Sequence, residues 1–131
     1  MKKEITCRAD IELLVDEFYK KVVKDEIIGY FFTEVVELDW DQHIPIMYRF
    51  WETMLLDNMI YKGNPMLVHI DLHKKSPLTK AHFDRWQALF FETLDEYFTG
   101  ERVDEAKRRA ENMASLMLYK IEQSENPNFI Q

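Results

Sequence analysis

Cysteine, glycine and proline are all scarce in this chain: one, three and four residues respectively in 131. A lone Cys7 excludes an intramolecular disulfide, and no neighbour at catalytic spacing gives it a chemical role. So few glycines exclude the phosphate-cradling loops of nucleotide enzymes, and no GxGxxG or P-loop pattern occurs. The chain also lacks an apolar run near the ~18 residues that a membrane helix needs, and it lacks a recognisable leader. A reducing, cytoplasmic setting is therefore expected. Positive charge is short as well. The net charge of −7 argues against nucleic acid or anionic membranes as partners. The small basic cluster Lys107-Arg108-Arg109 is expected on the solvent face of a helix.

What remains is globular and aromatic. Hydrophobic residues make up 47%, charged residues 31% and aromatic residues 14%, with Phe the commonest ring. That balance suits a packed domain, or a pocket walled with flat side chains. No repeat or linker divides the chain, so a single domain over residues 1–131 is expected. Its core spans about 8–123, and a frayed tail begins near Asn126, Pro127 and Asn128.

Few breakers between periodic segments predict helices joined by short connections. The first helix runs from about Asp10, its expected N-cap, to about Asp25, with Ile11, Leu14, Val15, Phe18, Val22 and Val23 recurring at helical spacing. Glu26 to Phe32 reads as a short helix or turn broken at Gly29. A second helix follows an Asp39 cap and continues to about Asp57, burying Trp40, Ile44, Met47, Phe50, Trp51, Met54 and Leu55. Pro45 falls early enough to be tolerated, or marks a short break. Tyr61 to Pro77 reads as the least regular stretch, with at most a helical turn over Met66 to Ile70. A third long helix runs from a Thr79 cap to Phe98, with Phe83, Trp86, Phe90, Leu94 and Tyr97 on one face. The last runs from about Val103 to Gln123, with Ala106, Ala110, Met113, Ala114, Met117 and Ile121 inward. Its small residues allow another helix to approach closely.

No Ser/His/Asp arrangement, CxxC pair, HExxH or EF-hand loop is present. Of His43, His69, His73 and His82, only His69 and His73 have an i, i+4 spacing. They sit in the irregular stretch without an obvious third ligand, so a zinc site is disfavoured. Three helices each carry one hydrogen-bonding side chain beside an apolar stripe: Tyr19, His43 and Trp86. Each is a potential donor. Taken singly, such a residue is more often a core side chain bonded to backbone or water, and spacing alone does not bring the three together.

The segments that carry a resemblance are Glu17-Phe-Tyr-Lys-Lys-Val, His43-Ile-Pro-Ile-Met-Tyr-Arg-Phe-Trp, Tyr61-Lys-Gly-Asn-Pro, His69-Ile-Asp-Leu and His82-Phe-Asp-Arg-Trp86-Gln-Ala-Leu-Phe. In this order and spacing, from about residue 8 to about residue 120, the chain resembles the truncated haemoglobins of the third group. The double-glycine signatures of the other groups are missing. Lys74, Lys75 and Ser76 depart from the pattern and lengthen a connection.

The resemblance implies an all-α, single-domain truncated globin, with helices stacked two over two around haem b. It implies His69 as the proximal iron ligand and Tyr19, His43 and Trp86 as the polar residues of the distal, gas-binding side. It implies contacts to haem from Phe32, Met47, Phe50, Tyr61, Phe83 and Trp86. Neutral imidazole suits haem iron, and its second N–H should donate to an acceptor that fixes the ring. Arg49, Lys62, Arg85 and Tyr61 are candidates to meet the haem propionates.

The function implied is binding of dioxygen or another diatomic gas. Nitric oxide dioxygenase or peroxidase-like chemistry, fed by an unidentified reductant, is a further expectation; a dedicated enzyme is not. The alternatives are a haem-based gas sensor or redox partner, and a haem-free helical interaction module.

Overall fold

Local capping decides where the helices begin. The computed structural model of the protein describes residues 2–36, 39–61 and 63–125. The first helix, α1, is Arg8–Val22. Asp10, the expected cap, is instead its third residue. Its carboxylate accepts from the amides of Thr6 and Cys7, at 2.9 and 3.3 Å, so Cys7 holds the cap position. The helix ends short of Asp25, because the Asp25 carboxylate accepts from the Ile27 and Ile28 amides, at 3.0 Å each. That local bonding competes with further helix. Of the two readings of Glu26 to Phe32, the turn holds for Glu26 to Ile28, and a single π-helical turn spans Phe31–Val35.

The second helix, α2, is Trp40–Leu56, and Asp39 caps it by accepting from the Asp41 amide at 3.1 Å. It runs through Pro45 without a break. The stretch read as irregular contains an eleven-residue helix, α3, Pro65–Lys75. Asn64 caps it, accepting from the Leu67 amide at 3.1 Å, and Pro65 occupies the first position. An Asn-Pro pair there starts a helix as readily as it breaks a chain, because proline's missing N–H is unused in the first turn.

Two long helices follow: α4, Lys80–Tyr97, after a Thr79 cap, and α5, Glu101–Ser124. Between them Gly100 takes a φ of 104°, which a side chain rarely adopts.

In packing, α1 lies against both α2 and α4, while α3 and α4 both lie against α5. The pairs α1–α2 and α4–α5 are the two layers of an all-helical, two-over-two sandwich. Phe90 is its centre. It is fully buried, stacks on Trp51 at 4.6 Å and on Trp86 at 5.5 Å, and meets the edge of Phe18 at 5.2 Å. Ala106, Ala110 and Ala114 are buried along α5, giving the close approach their size allows. Among the described residues no helix is long and apolar enough to cross a membrane.

The segment ahead of α1 is part of this packing. Ile5 is fully buried, its carbonyl accepts from Arg102 at 2.7 Å, and Lys3 bridges to Phe98. Lys3 also reaches the buried Asp10 carboxylate at 2.6 Å. Burial alone would push the Asp10 pKa up. The Lys3 ammonium and the Thr6 and Cys7 donors override it and hold the carboxyl at about 2 against an ordinary 3.8. A depressed carboxylate pKa stabilises the fold above its unfolded value and loses that contribution as pH falls through its folded value. Asp10→Asn is therefore expected to cost about 2 kcal/mol at neutral pH. It should also flatten the acid limb of stability below about pH 4, read as urea midpoints across a pH series. Parallel acid limbs in the two proteins would rule this contribution out.

Candidate functional site

The two layers do not close fully on one another. Between them lies a cavity of about 910 Å³, counting its mouth to solvent. α1 contributes Phe18 and Tyr19 to its wall, the π turn Phe31 and Phe32, and α2 Met47, Phe50 and Trp51. Tyr61 and Pro65 follow, then His69 and Leu72 from α3, and His82, Phe83 and Trp86 from α4. Ile28, Leu78 and, from α5, Met113, Ala114 and Met117 complete it.

His69 is the one polar group of α3 in this wall, and the local helix sets its ring. Its Nδ1–H donates to the carbonyl of Pro65, one turn earlier, at 2.7 Å. Nδ1 therefore carries the proton, and Nε2 keeps its lone pair with no protein partner among the described residues. Burial lowers the His69 pKa, more than the bond to Pro65 raises it, so the ring is neutral near neutral pH. A neutral imidazole with one anchored nitrogen and one free nitrogen is a prepared metal ligand.

Opposite chemistry comes from α1, α2 and α4. Tyr19 and Trp86 both stand in the wall and flank the Phe18 ring, at 5.2 and 5.8 Å. Burial pushes the Tyr19 phenol well above its ordinary pKa, so it stays protonated. His43 is not in the wall. Its Nε2 is 3.3 Å from the Tyr19 phenol oxygen. Its pKa is lowered, first by burial and then by the nearby His69 imidazole.

Of the residues expected to touch haem, Phe32, Met47, Phe50, Tyr61, His69, Phe83 and Trp86 all line the cavity. Eleven further wall residues were not expected at the site: Phe18, Trp51, Met113, Ala114 and Met117 were read only as inward-facing core, and Ile28, Phe31, Pro65, Leu72, Leu78 and His82 were given no inward place. Phe31 joins Phe32 because the π turn presents two consecutive rings to one space. His82 belongs to α4's first turn, where its Nδ1 accepts from the Thr79 amide at 3.0 Å. Leu72 and Leu78 came into reach only once α3 was formed. The helical period from His69 through Leu72 was the available signal.

The propionate candidates fare unequally. Arg85 is engaged by Asp25 at 2.7 Å, and Arg49 is absent from the wall. Lys62 lies outside the described residues. Tyr61 is in the wall, and a Cβ on Gly63 would stand 2.3 Å from its hydroxyl, so only glycine leaves the ring in place. Thr53 positions this segment by accepting from the Ile60 and Tyr61 amides, at 3.2 and 3.0 Å.

The disfavoured zinc reading finds no support. His73 does share α3 with His69, but its Nδ1 accepts from the Leu78 amide and its Nε2 meets Glu125. Among the described residues no three His, Cys, Asp or Glu side chains are grouped to hold a bare metal ion.

An apolar slot between two helical layers, with one anchored imidazole and two hydrogen-bond donors, is the pocket of a haem-binding helical protein. Comparison with known proteins identifies the class further. The bacterial-like globin family model matches residues 3–119. The Group 3 truncated hemoglobin ctb of Campylobacter jejuni is 33% identical over 126 residues, 92% of this chain and 97% of the relative. The crystal structure of the group III truncated hemoglobin from Campylobacter jejuni superposes with a TM-score of 0.81 at 31% identity. It covers 92% of this chain and 95% of that one. The chain thus belongs to the bacterial-like globins, and among them to the group III truncated haemoglobins. It is a haem-binding globin, and globins bind diatomic gases such as oxygen.

Proposed function

We propose that the chain holds haem b with His69 Nε2 on the iron, and binds dioxygen on the side of Tyr19 and Trp86. We further propose that it retains the gas for redox chemistry with nitric oxide or peroxide rather than delivering it. The carrying observation is the His69 ring, anchored to the Pro65 carbonyl through Nδ1 with Nε2 left free at a cavity wall. Bound haem supplies an iron centre with a coordination position for a gas.

The protein's own contribution is placement and protons. The rings of Phe18, Phe32, Phe50 and Phe83 exclude water from the slot. Low dielectric there strengthens each hydrogen bond to a ligand that draws negative charge. Tyr19 offers its phenol proton and Trp86 its indole N–H. The His43 tautomer governs the first of these. With the proton on Nε2, His43 donates to the Tyr19 oxygen and leaves the Tyr19 O–H free for the cavity. With Nε2 bare, Tyr19 donates to His43 instead, and the ligand loses that donor. Several donors on one ligand favour slow release, which suits redox turnover better than transport. The electrons come from an external reductant, in keeping with a cytoplasmic setting.

Titration with haem tests the reading. One equivalent should give a Soret band, and the reduced protein should bind dioxygen and carbon monoxide. Rapid mixing of the oxygenated protein with nitric oxide should then yield nitrate. No Soret band at stoichiometric haem would overturn the haem site; a band without nitrate would overturn the redox chemistry alone.

A further inference from the structure

A second hollow lies outside the cavity, an open groove bordered by Asp16 and Lys20 of α1, by Val23 just after it, and by Trp40 and Ile44 of α2. It shares one residue with the cavity, Tyr19. The Tyr19 ring is therefore a wall common to both spaces. The next ring along the cavity side is Phe32, whose centroid is 5.9 Å from that of Tyr19. Trp40 covers this pair from the groove. Its indole stacks on Phe32 at 6.1 Å and an interplanar angle of 28°. It also meets Tyr19 at 5.8 Å and His43 at 5.7 Å, both near edge-on.

We propose that the groove is the vestibule through which small ligands reach the cavity, and that Trp40 is the residue that limits their entry by rate and by size. The inference rests on the gas-binding reading of the cavity. Packed rings separate the groove from the cavity, so a ligand entering from the groove passes only when one of them moves. Tyr19 is tied to His43, and Phe32 sits in the π turn beside the buried Phe31. Trp40 is the first residue of α2 and only half-buried, and no hydrogen bond holds its indole N–H among the described residues. Swinging it toward the groove uncovers the Tyr19–Phe32 gap without opening the core around Phe90. A swing of limited width admits a diatomic gas more readily than a branched ligand.

The test uses the haem-loaded, reduced protein and flash photolysis of carbon monoxide and of methyl and tert-butyl isocyanides. Trp40→Ala should speed carbon monoxide association by about ten-fold, the effect of lowering the entry barrier by ~1.4 kcal/mol. It should speed tert-butyl isocyanide by a larger factor and reduce the geminate recombination amplitude. Val23→Trp, which fills the groove from outside, should slow all three ligands. This opposite-sign variant leaves Trp40 in place and guards against a folding defect in Trp40→Ala. In the haem-free chain, relaxation dispersion should detect exchange of the Trp40 indole on the μs–ms scale, while Trp51 and Trp86, stacked on Phe90, stay quiet. Association rates unchanged in both variants, with a normal Soret band and helical circular dichroism, would overturn the role of Trp40; so would a static indole. A wild-type chain without a Soret band would instead overturn the pocket reading beneath it.

Discussion

Replacing His69 by glycine is expected to abolish the spectrum of imidazole-ligated haem, and added imidazole to restore it. The reason lies in how the ring is held. Its Nδ1–H bond to the Pro65 carbonyl, at 2.7 Å, sets the orientation and leaves Nε2 as the free lone pair in the wall. Glycine removes both the ligand and its anchor, and opens a space that a free imidazole fits. Losing an outer partner of a metal ligand costs up to about 100-fold in affinity. Losing the ligand itself should speed haem transfer to a scavenger protein by at least about that factor. Because His69 is not part of the aromatic packing around Phe90, helical content should survive. A His69→Gly protein with an unaltered Soret band and haem-loss rate would place the ligand elsewhere.

The second large effect belongs to Tyr19. Tyr19→Phe deletes the phenol and keeps the ring, so the walls of the cavity stay in place. A buried hydrogen bond to a partly charged ligand contributes about 1.5–3 kcal/mol. Its loss should therefore raise the dioxygen dissociation rate by about 10- to 100-fold, at ~1.4 kcal/mol per decade. Stopped-flow displacement of dioxygen by carbon monoxide reads that rate directly. His43 is expected to act through Tyr19, since its Nε2 meets the phenol oxygen at 3.3 Å. Replacing His43 by leucine should change dissociation in the wild-type background and have little effect in Tyr19→Phe, a coupling that a double-mutant cycle isolates. Equal effects of the His43 substitution in both backgrounds would assign it a direct contact with the ligand. An unchanged dissociation rate in Tyr19→Phe would remove the phenol from the ligand's environment.

Much of the fold was legible because helical periodicity and caps are local. Asp39 and Thr79 cap the helices they were expected to cap, and the inward face of α5 is the one its alanines and methionines mark. The misread places have local causes of another kind. Asp10 looks like a cap but serves as the third residue of a capping box, because the preceding Thr6 and Cys7 amides are also available to it. Asn64 and Pro65 look like a break but start α3. The same residue types signal either outcome, and the helix that follows decides.

The site divides in the same way. The sequence by itself determined the helical class, through scarce breakers and 3.6-residue periods. It also assigned most inward faces, because a helical stripe does so without tertiary information, although Trp40, expected inside, lies half-buried at the groove. By resemblance it pointed to His69, Tyr19, His43 and Trp86 together. Only the tertiary structure decided what each of them meets. It supplied the Pro65 carbonyl for Nδ1 of His69, joined His43 Nε2 to the Tyr19 hydroxyl, and took Arg85 away to Asp25. It also leaned Trp40 across the Tyr19–Phe32 pair. Periodicity specifies the direction of a side chain from its own helix axis. Contacts between α1, α2, α3 and α4 depend on how those axes cross, and crossing is settled by packing over the whole core.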